Sequence, residues 1–238
     1  MAVAMALREA DLNSPEEREK HKVAIIGSGR IGLATACLFS EANFKVTCFN
    51  PDPYLTRQIN EGISVYDERG LDEMLKRNLA NGRLKATTNP KDTIFTSDII
   101  LLATDIPVDG KKRPIYSNLE SICRDIGLNL QPGSLIIVQS IVGPSITEDL
   151  IIETLERSSG LEAGIDFGFA YSPVKAPIGM TIEHLKEHAR IIAAIDERSM
   201  RAAKAILKTV TNGELCLLYT SDAADELDGV DLGGRRII

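Results

Sequence analysis

The stretch Lys22-Val23-Ala24-Ile25-Ile26-Gly27-Ser28-Gly29-Arg30-Ile31-Gly32 decides the fold. Residues 23–26 form a compact apolar run, the signature of a strand buried on both faces, as parallel strands are. Gly27, Gly29 and Gly32 follow in G-x-G-x-x-G spacing, and a helical stretch runs on to about Ala42. Asn43 makes the turn, and Lys45–Phe49 alternates with β-branched residues as a second strand. Strand, glycine turn, helix and strand come in the order that a dinucleotide-binding βαβ unit requires.

The chemistry needs this layout. Gly27 permits the tight turn, Gly29 lets the backbone approach a pyrophosphate without a Cβ clash, and Gly32 lets helix and strand pack closely. Free N–H groups at the helix start, around Arg30 and Ile31, are expected to face the phosphates. The competing reading is a glycine-rich turn that binds nothing. Such a site expects Asp or Glu at the end of the second strand to hold the ribose hydroxyls. Asn50 stands there instead, able to hydrogen-bond a hydroxyl but without charge assistance, and Asp52 is the candidate substitute. The nearest arginine, Arg57, lies about two helical turns along, so NAD is expected over NADP.

Outward from this unit the same alternation continues. Ser14, Pro15 and Glu17 form a capping box that predicts a short helix in a polar extension, residues 1–21. Helices are expected over 54–60, closed by Gly62, and over 70–80, where Leu71, Met74, Leu75 and Leu79 share a face. Residues 99–103 read as a fully apolar strand, followed by a polar loop over 104–114. Ser117 with Glu120 and Ser145 with Glu148 predict two capped helices, the second over 146–156. Residues 135–139, 167–171 and 190–195 read as strands, with a helix from 197 to about 210. The pattern implies an α/β fold, a doubly wound, mostly parallel Rossmann-like sheet, as one domain over 22–214.

The chain has 238 residues, with 27 Lys and Arg against 34 Asp and Glu, a net charge of −7. No basic excess exists, so a nucleic-acid partner is not expected. With 44% hydrophobic and 26% charged residues, whole-chain disorder is excluded. No apolar run reaches the roughly 20 residues of a membrane helix, and residues 1–7 lack the pattern of a secretory signal, so a cytoplasmic setting is the expectation. The four cysteines are scattered without a C-x-x-C pair, which argues against a structural zinc site or a disulfide framework. Cys37, Cys48 and Cys123 read as packing residues within a helix, a strand and a helix. His184 and His188, four apart, could bind a metal ion, but no third ligand is evident and a solvated helical face is expected. Lys111-Lys112-Arg113 either meets a substrate phosphate at the ligand-binding edge of the sheet or is a solvated cluster.

From Lys22 to Val210 the sequence resembles the UDP-glucose/GDP-mannose dehydrogenase family, in its N-terminal NAD-binding domain. Five segments carry the resemblance in order: Asn60-Glu61-Gly62 with Glu68-Arg69-Gly70-Leu71, Gly82-Arg83-Leu84 with Thr87-Thr88, Thr104-Asp105-Ile106-Pro107, Ser140-Ile141-Val142-Gly143-Pro144, and Tyr171-Ser172-Pro173. The resemblance implies oxidation of a nucleotide-sugar C6 alcohol to a carboxylate, with two hydrides passing to two NAD molecules and a Cys thiolate holding the intermediate aldehyde. It also places Thr104 and Ser140 among the cofactor-binding residues, and implies a homo-oligomeric full-length enzyme. Departures fall where function concentrates: Val174 and Lys175 replace the family's Glu and Arg after Ser-Pro, and Ile141 replaces its Thr.

The family's nucleophile lies in a Gly-rich Cys-Leu-Pro-Lys segment downstream, which this sequence does not contain. The expectation is therefore a cofactor-binding half with no catalytic residues of its own, which binds NAD and turns over nothing. Residues 216–238 resemble a translated sequencing adapter followed by a flow-cell primer, so 215–238 is expected to be a non-native tail. It carries five acidic and two basic residues, much of the acidic excess. Two alternatives stay open: a 3-hydroxyacyl-CoA or β-hydroxyacid dehydrogenase-type domain, and a non-catalytic NAD-binding module, to which Asn50, Ile141 and Val174 lend support.

Overall fold

In the computed structural model, which describes residues 9–218, strand β1 (Lys22–Ile26) lies at the centre of an eight-stranded sheet. The expectations for residues 1–8 and 219–238 fall outside the described residues. The sheet order is β3-β2-β1-β4-β5-β6-β7-β8. Strands β2 (Lys45–Phe49) and β3 (Leu84–Thr87) extend it to one side of β1. Strands β4 (Ile99–Leu102), β5 (Leu135–Val138) and β6 (Gly168–Tyr171) extend it to the other, all parallel. β7 (Arg190–Ala194) runs antiparallel to β6, and β8 (Leu215–Leu218) is parallel to β7. β8 lies just past residue 214, the end of the domain expected from the sequence. The direction of winding reverses between β1 and β4, and ligands of such sheets bind outside the carboxyl ends of the strands at that point.

Helices cover both faces. One apolar layer contains Leu33, Cys37 and Phe39 of α2 (Arg30–Glu41), Ile59 of α3 (Pro53–Asn60), Leu71 and Leu75 of α4 (Leu71–Ala80), Leu185 of α8 (Thr181–Glu187), and Met200 and Ile206 of α9 (Glu197–Lys208). The other contains Ile94 of α5 (Pro90–Ile94), Ile122 and Ile126 of α6 (Ser117–Asn129), and Leu155 of α7 (Glu153–Ser159). Successive strand residues alternate between these layers, Ile25 to the first and Ile26 to the second, so the central strands are apolar throughout. No helix among the described residues is long and apolar enough to cross a membrane.

The Ser14 cap is present: its side chain accepts from Glu17 N above Pro15, at the start of α1 (Pro15–Arg18). Two other caps are corrected. Helix α6 begins after Tyr116, and no side-chain hydrogen bond caps it; the Tyr116 hydroxyl instead accepts from Gly143 N at 3.0 Å, and Glu120 reaches forward to Arg124. Ser145 has a left-handed backbone, φ 62°, whereas a capping residue is extended. After Ser145 the chain makes a π-helical segment (Thr147–Ile152) before α7.

Among the glycines, the one with least room for a side chain lies just after the turn that follows β1. A Cβ added to Gly32 would lie 1.8 Å from the Gly27 carbonyl oxygen. Gly32→Ala must push α2 away from β1, and overpacking of this kind costs about 1–3 kcal/mol. Urea denaturation is expected to show a lowered midpoint with an unchanged slope; an unaltered midpoint would show that the two segments do not meet this closely.

Candidate functional site

The carboxyl ends of β1, β4 and β5 enclose a crevice of about 320 Å³. Ile31, Ala103, Thr104, Asp105, Ile106, Gln139, Ser140, Ile141 and Val174 line it, and Asp105 is the charged residue among them. The glycine turn packs against two of these residues, Ala103 and Thr104. Gly27 has φ 96°, and a Cβ there would meet Thr104 Cγ2 at 2.8 Å and the Ala103 carbonyl at 2.9 Å. Gly29 is the N-cap of α2 and brings no side-chain cap, so the first N–H groups of the helix, from Arg30 and Ile31, open toward the crevice mouth. A Cβ on Gly29 would lie 3.1 Å from Asp105 Oδ2. The cradle thus fits a diphosphate in shape and dipole, with one carboxylate placed against it.

The other sequence candidates sort into two groups. At the end of β2, Asn50 is buried, its Nδ2 donating to Ser28 Oγ at 2.7 Å and its Oδ1 accepting from Asp52 N at 2.8 Å. The side chain so ties the glycine turn to the start of α3. Asp52 caps α3 through Oδ1, which accepts from Tyr54 N at 2.8 Å, and its residue is exposed. At the ends of β4 and β5, the Thr104 and Ser140 hydroxyls lie 3.3 Å apart, and Ser140 donates to the Leu102 carbonyl at 3.4 Å.

Arg30 does something the sequence did not show. Its guanidinium turns from the crevice and donates to Glu68 Oε1 at 3.2 Å, to the Thr181 hydroxyl, and to the Pro177 and Ala176 carbonyls at 3.1 and 2.9 Å. The Glu68 side chain is only 1% exposed. It also accepts from Thr181 N at 2.8 Å, Thr181 Oγ1 at 2.7 Å and Gly179 N at 3.0 Å. Burial pushes its carboxyl up, but the hydrogen bonds from Thr181, Gly179 and Arg30 outweigh burial and hold its pKa below the ordinary value. Tyr66, whose hydroxyl donates to the Ser28 carbonyl at 3.4 Å, has its pKa raised by burial and by the Asp105 carboxylate.

Cys37, Cys48 and Cys123 are buried, and burial raises all three thiols, Cys37 and Cys123 to about 12. None supplies a thiolate at neutral pH. Cys216 is exposed on β8. The His184 and His188 rings stack with centroids 4.2 Å apart, and no group of three or more metal-ligating side chains is assembled among the described residues. Burial and the neighbouring His188 and Arg190 lower the His184 pKa. Arg113 of the basic loop is paired with Asp109 at 2.9 Å.

Residues 21–211 match the UDP-glucose/GDP-mannose dehydrogenase family, NAD binding domain. The chain belongs to this family. The UDP-N-acetyl-D-mannosamine dehydrogenase of Pyrococcus horikoshii is 28% identical over 202 residues, 85% of this chain and 48% of that protein. The GDP-mannose 6-dehydrogenase of Pseudomonas putida is 32% identical over 155 residues, 64% of this chain and 35% of that protein. Among solved structures, the NDP-N-acetyl-D-galactosaminuronic acid dehydrogenase of Methanosarcina mazei superposes with a TM-score of 0.81 at 29% identity, covering 89% of this chain and 48% of that one. The chain thus spans about half the length of the first of these relatives. The matched domain is the one that binds NAD, and the relatives are nucleotide-sugar dehydrogenases.

Glu68→Ala, which leaves Arg30 and three further donors without their acceptor, is expected to cost about 3–5 kcal/mol. For the milder Glu68→Gln the pH dependence carries the sign. A carboxyl whose folded-state pKa is depressed stabilises fully above its ordinary range and loses that contribution as pH falls through the folded value. The advantage of the parent chain over E68Q is therefore largest near neutrality and shrinks in acid, as paired urea melts at about pH 7 and about pH 3.5 would read. A difference independent of pH would show that the charge on Glu68 is not what matters.

Proposed function

We propose that this chain is the cofactor half of an NAD-dependent dehydrogenase that oxidises the CH–OH group of a nucleotide sugar to a uronate. One observation carries the reading: the glycine turn, with the uncapped start of α2 above it, opens into a crevice at the point where the sheet reverses its winding. In this reading Gly27, Gly29 and Gly32 shape the turn. The N–H groups of Arg30 and Ile31 hold the pyrophosphate. Asn50 fixes the turn through Ser28, and the exposed Asp52 carboxylate takes the adenosine ribose hydroxyls. Thr104 and Ser140 form the wall on the nicotinamide side. NAD, when bound, supplies the hydride acceptor. The Arg30–Glu68–Thr181 network keeps residues 176–181 against the start of α2, so the crevice wall that includes Val174 is fixed relative to the turn.

Burial keeps Cys37, Cys48 and Cys123 protonated, so none of these three captures an aldehyde, and in this reading the chemistry depends on groups outside this cofactor half. The same reading carries a cytoplasmic setting, a homo-oligomeric full-length enzyme and a role in supplying uronates for polysaccharide synthesis. A second reading, a non-catalytic NAD-binding module, is favoured by one feature: Ile141 and Val174 present hydrocarbon to the crevice where the family has Thr and Glu.

Calorimetric titration of the 238-residue chain with NAD is expected to show binding, and incubation with NAD and a UDP- or GDP-sugar is expected to yield no NADH. Absence of NAD binding removes the proposal; NADH formation removes the claim that this half is inactive alone. Asp105 tests the phosphate placement. Its carboxylate faces Gly29, where a pyrophosphate would bring like charge, and two charges about 6 Å apart in water interact by roughly 0.7 kcal/mol. D105N is expected to strengthen NAD binding about threefold, with the gain fading as salt is raised. Weaker binding by D105N would place the diphosphate elsewhere.

A further inference from the structure

Gln139 is 1% exposed, lines the crevice and is only half satisfied. Its Oε1 accepts from Thr35 Oγ1 of α2 at 3.2 Å, while its Nε2 is buried with no hydrogen-bond partner among the described residues. A buried donor left without a partner costs free energy, so this one calls for an acceptor. Its neighbours do not supply one. The Thr104 and Ser140 hydroxyls pair with each other and with the Leu102 carbonyl, and neither is within hydrogen-bond reach of Nε2. Ile31, Ala103 and Val174 offer hydrocarbon.

The dinucleotide's own layout says what could. With the pyrophosphate at the start of α2 and the adenosine ribose toward Asn50 and Asp52, the other half must cross to the ends of β4 and β5. That half ends in a flat ring bearing a neutral carboxamide. The crevice offers it hydrocarbon from Ile31, Ala103 and Val174, no cation and one spare N–H. We infer that Gln139 is a positioning residue, whose Nε2 donates to the carboxamide oxygen of the nicotinamide ring and so fixes the ring's rotation about its glycosidic bond. Thr35 aims the amide from behind, by holding its other end. The inference rests on the NAD-binding reading above.

The test is calorimetric, on the whole 238-residue chain, with three ligands: NAD, its thionicotinamide analogue, whose sulfur is a poor acceptor, and ADP-ribose, which lacks the ring. In the parent chain the thio analogue is expected to bind several-fold more weakly than NAD. Gln139→Met is expected to weaken NAD by about five- to tenfold, the range of one hydrogen bond, to leave ADP-ribose within about twofold, and to close the difference between NAD and the thio analogue. Thr35→Val, which removes only the aiming bond, is expected to give a smaller loss of NAD affinity. Equal NAD and thio-analogue affinities in the parent chain overturn the inference without any variant. So does an unchanged NAD affinity in Q139M, which would mean that solvent satisfies the amide. An equal loss of NAD and ADP-ribose overturns it too, because that is the mark of a general structural role. If T35V loses more than Q139M, Thr35 is the contact and the inference also fails. Should ADP-ribose itself not bind the parent chain, the NAD-binding reading falls and takes this inference with it; ADP-ribose binding with NAD insensitive to Gln139 removes the inference alone.

Discussion

The approach of Gly32 to the Gly27 carbonyl sets the distance between α2 and β1, and most of the site follows from that distance. A side chain at position 32 has no room, so the helix lies directly on the turn. With the helix there, its first N–H groups stand over the crevice mouth, and Gly27 packs against Ala103 and Thr104 at the end of β4. Three glycines therefore place a helix dipole, a strand end and a reversal of sheet winding at one point. Among the described residues no basic side chain lines the crevice, and Arg30 points its guanidinium elsewhere.

That diversion of Arg30 is the second constraint. A buried carboxylate is stable only if it is paired and hydrogen-bonded, and Glu68 has four donors from two other segments, so that three segments meet there. The segments are 38 and 151 residues from one another along the chain, counted from Arg30 to Glu68 and to Thr181. The network works as a bolt between the first βαβ unit and the loop that follows β6. It fixes Ala176 and Pro177 through their carbonyls, and Val174 lies just before them on the crevice wall. An interaction that looks like a phosphate ligand in one dimension is thus a fastening in three.

What was legible in the sequence depended on how local its cause was. The β1 run, the glycine spacing and the β2 alternation are local patterns with strong periodicity, and the fold class follows from them together with the five family segments. β3 was missed as a strand because it is four residues long and half-buried, a pattern too short to separate from a loop. The Ser117 and Ser145 caps failed because a capping box is only a spacing. Whether the hydroxyl caps depends on an extended backbone at that residue, and at Ser145 tertiary packing imposes φ 62° instead. The site residues divide in the same way. Asn50 was identified by its place at the end of β2, but its partner Ser28 was not, because the bond spans 22 residues. Glu68 sat inside a recognised segment without a role. Gln139 carried no signal, since an unpaired amide is defined by what its surroundings lack.

The departures from the family pattern are better weighed together than singly. Ile141 and Val174 make the crevice less polar, which lowers its capacity to stabilise charge and raises the cost of any polar group left unpaired inside it. In such surroundings a single neutral amide matters more than it would beside a hydroxyl and a carboxylate. Asp105 lines the same crevice, exposed and near the glycine turn, where solvent screens it. The one charge on the lining is therefore exposed, while Gln139, Thr104 and Ser140 are buried. In the proposed reading such a crevice keeps NAD by shape, helix dipole and one amide. Its lining holds no cation, so in the proposed reading the stabilisation of a developing charge on a reacting alcohol falls to groups outside this domain.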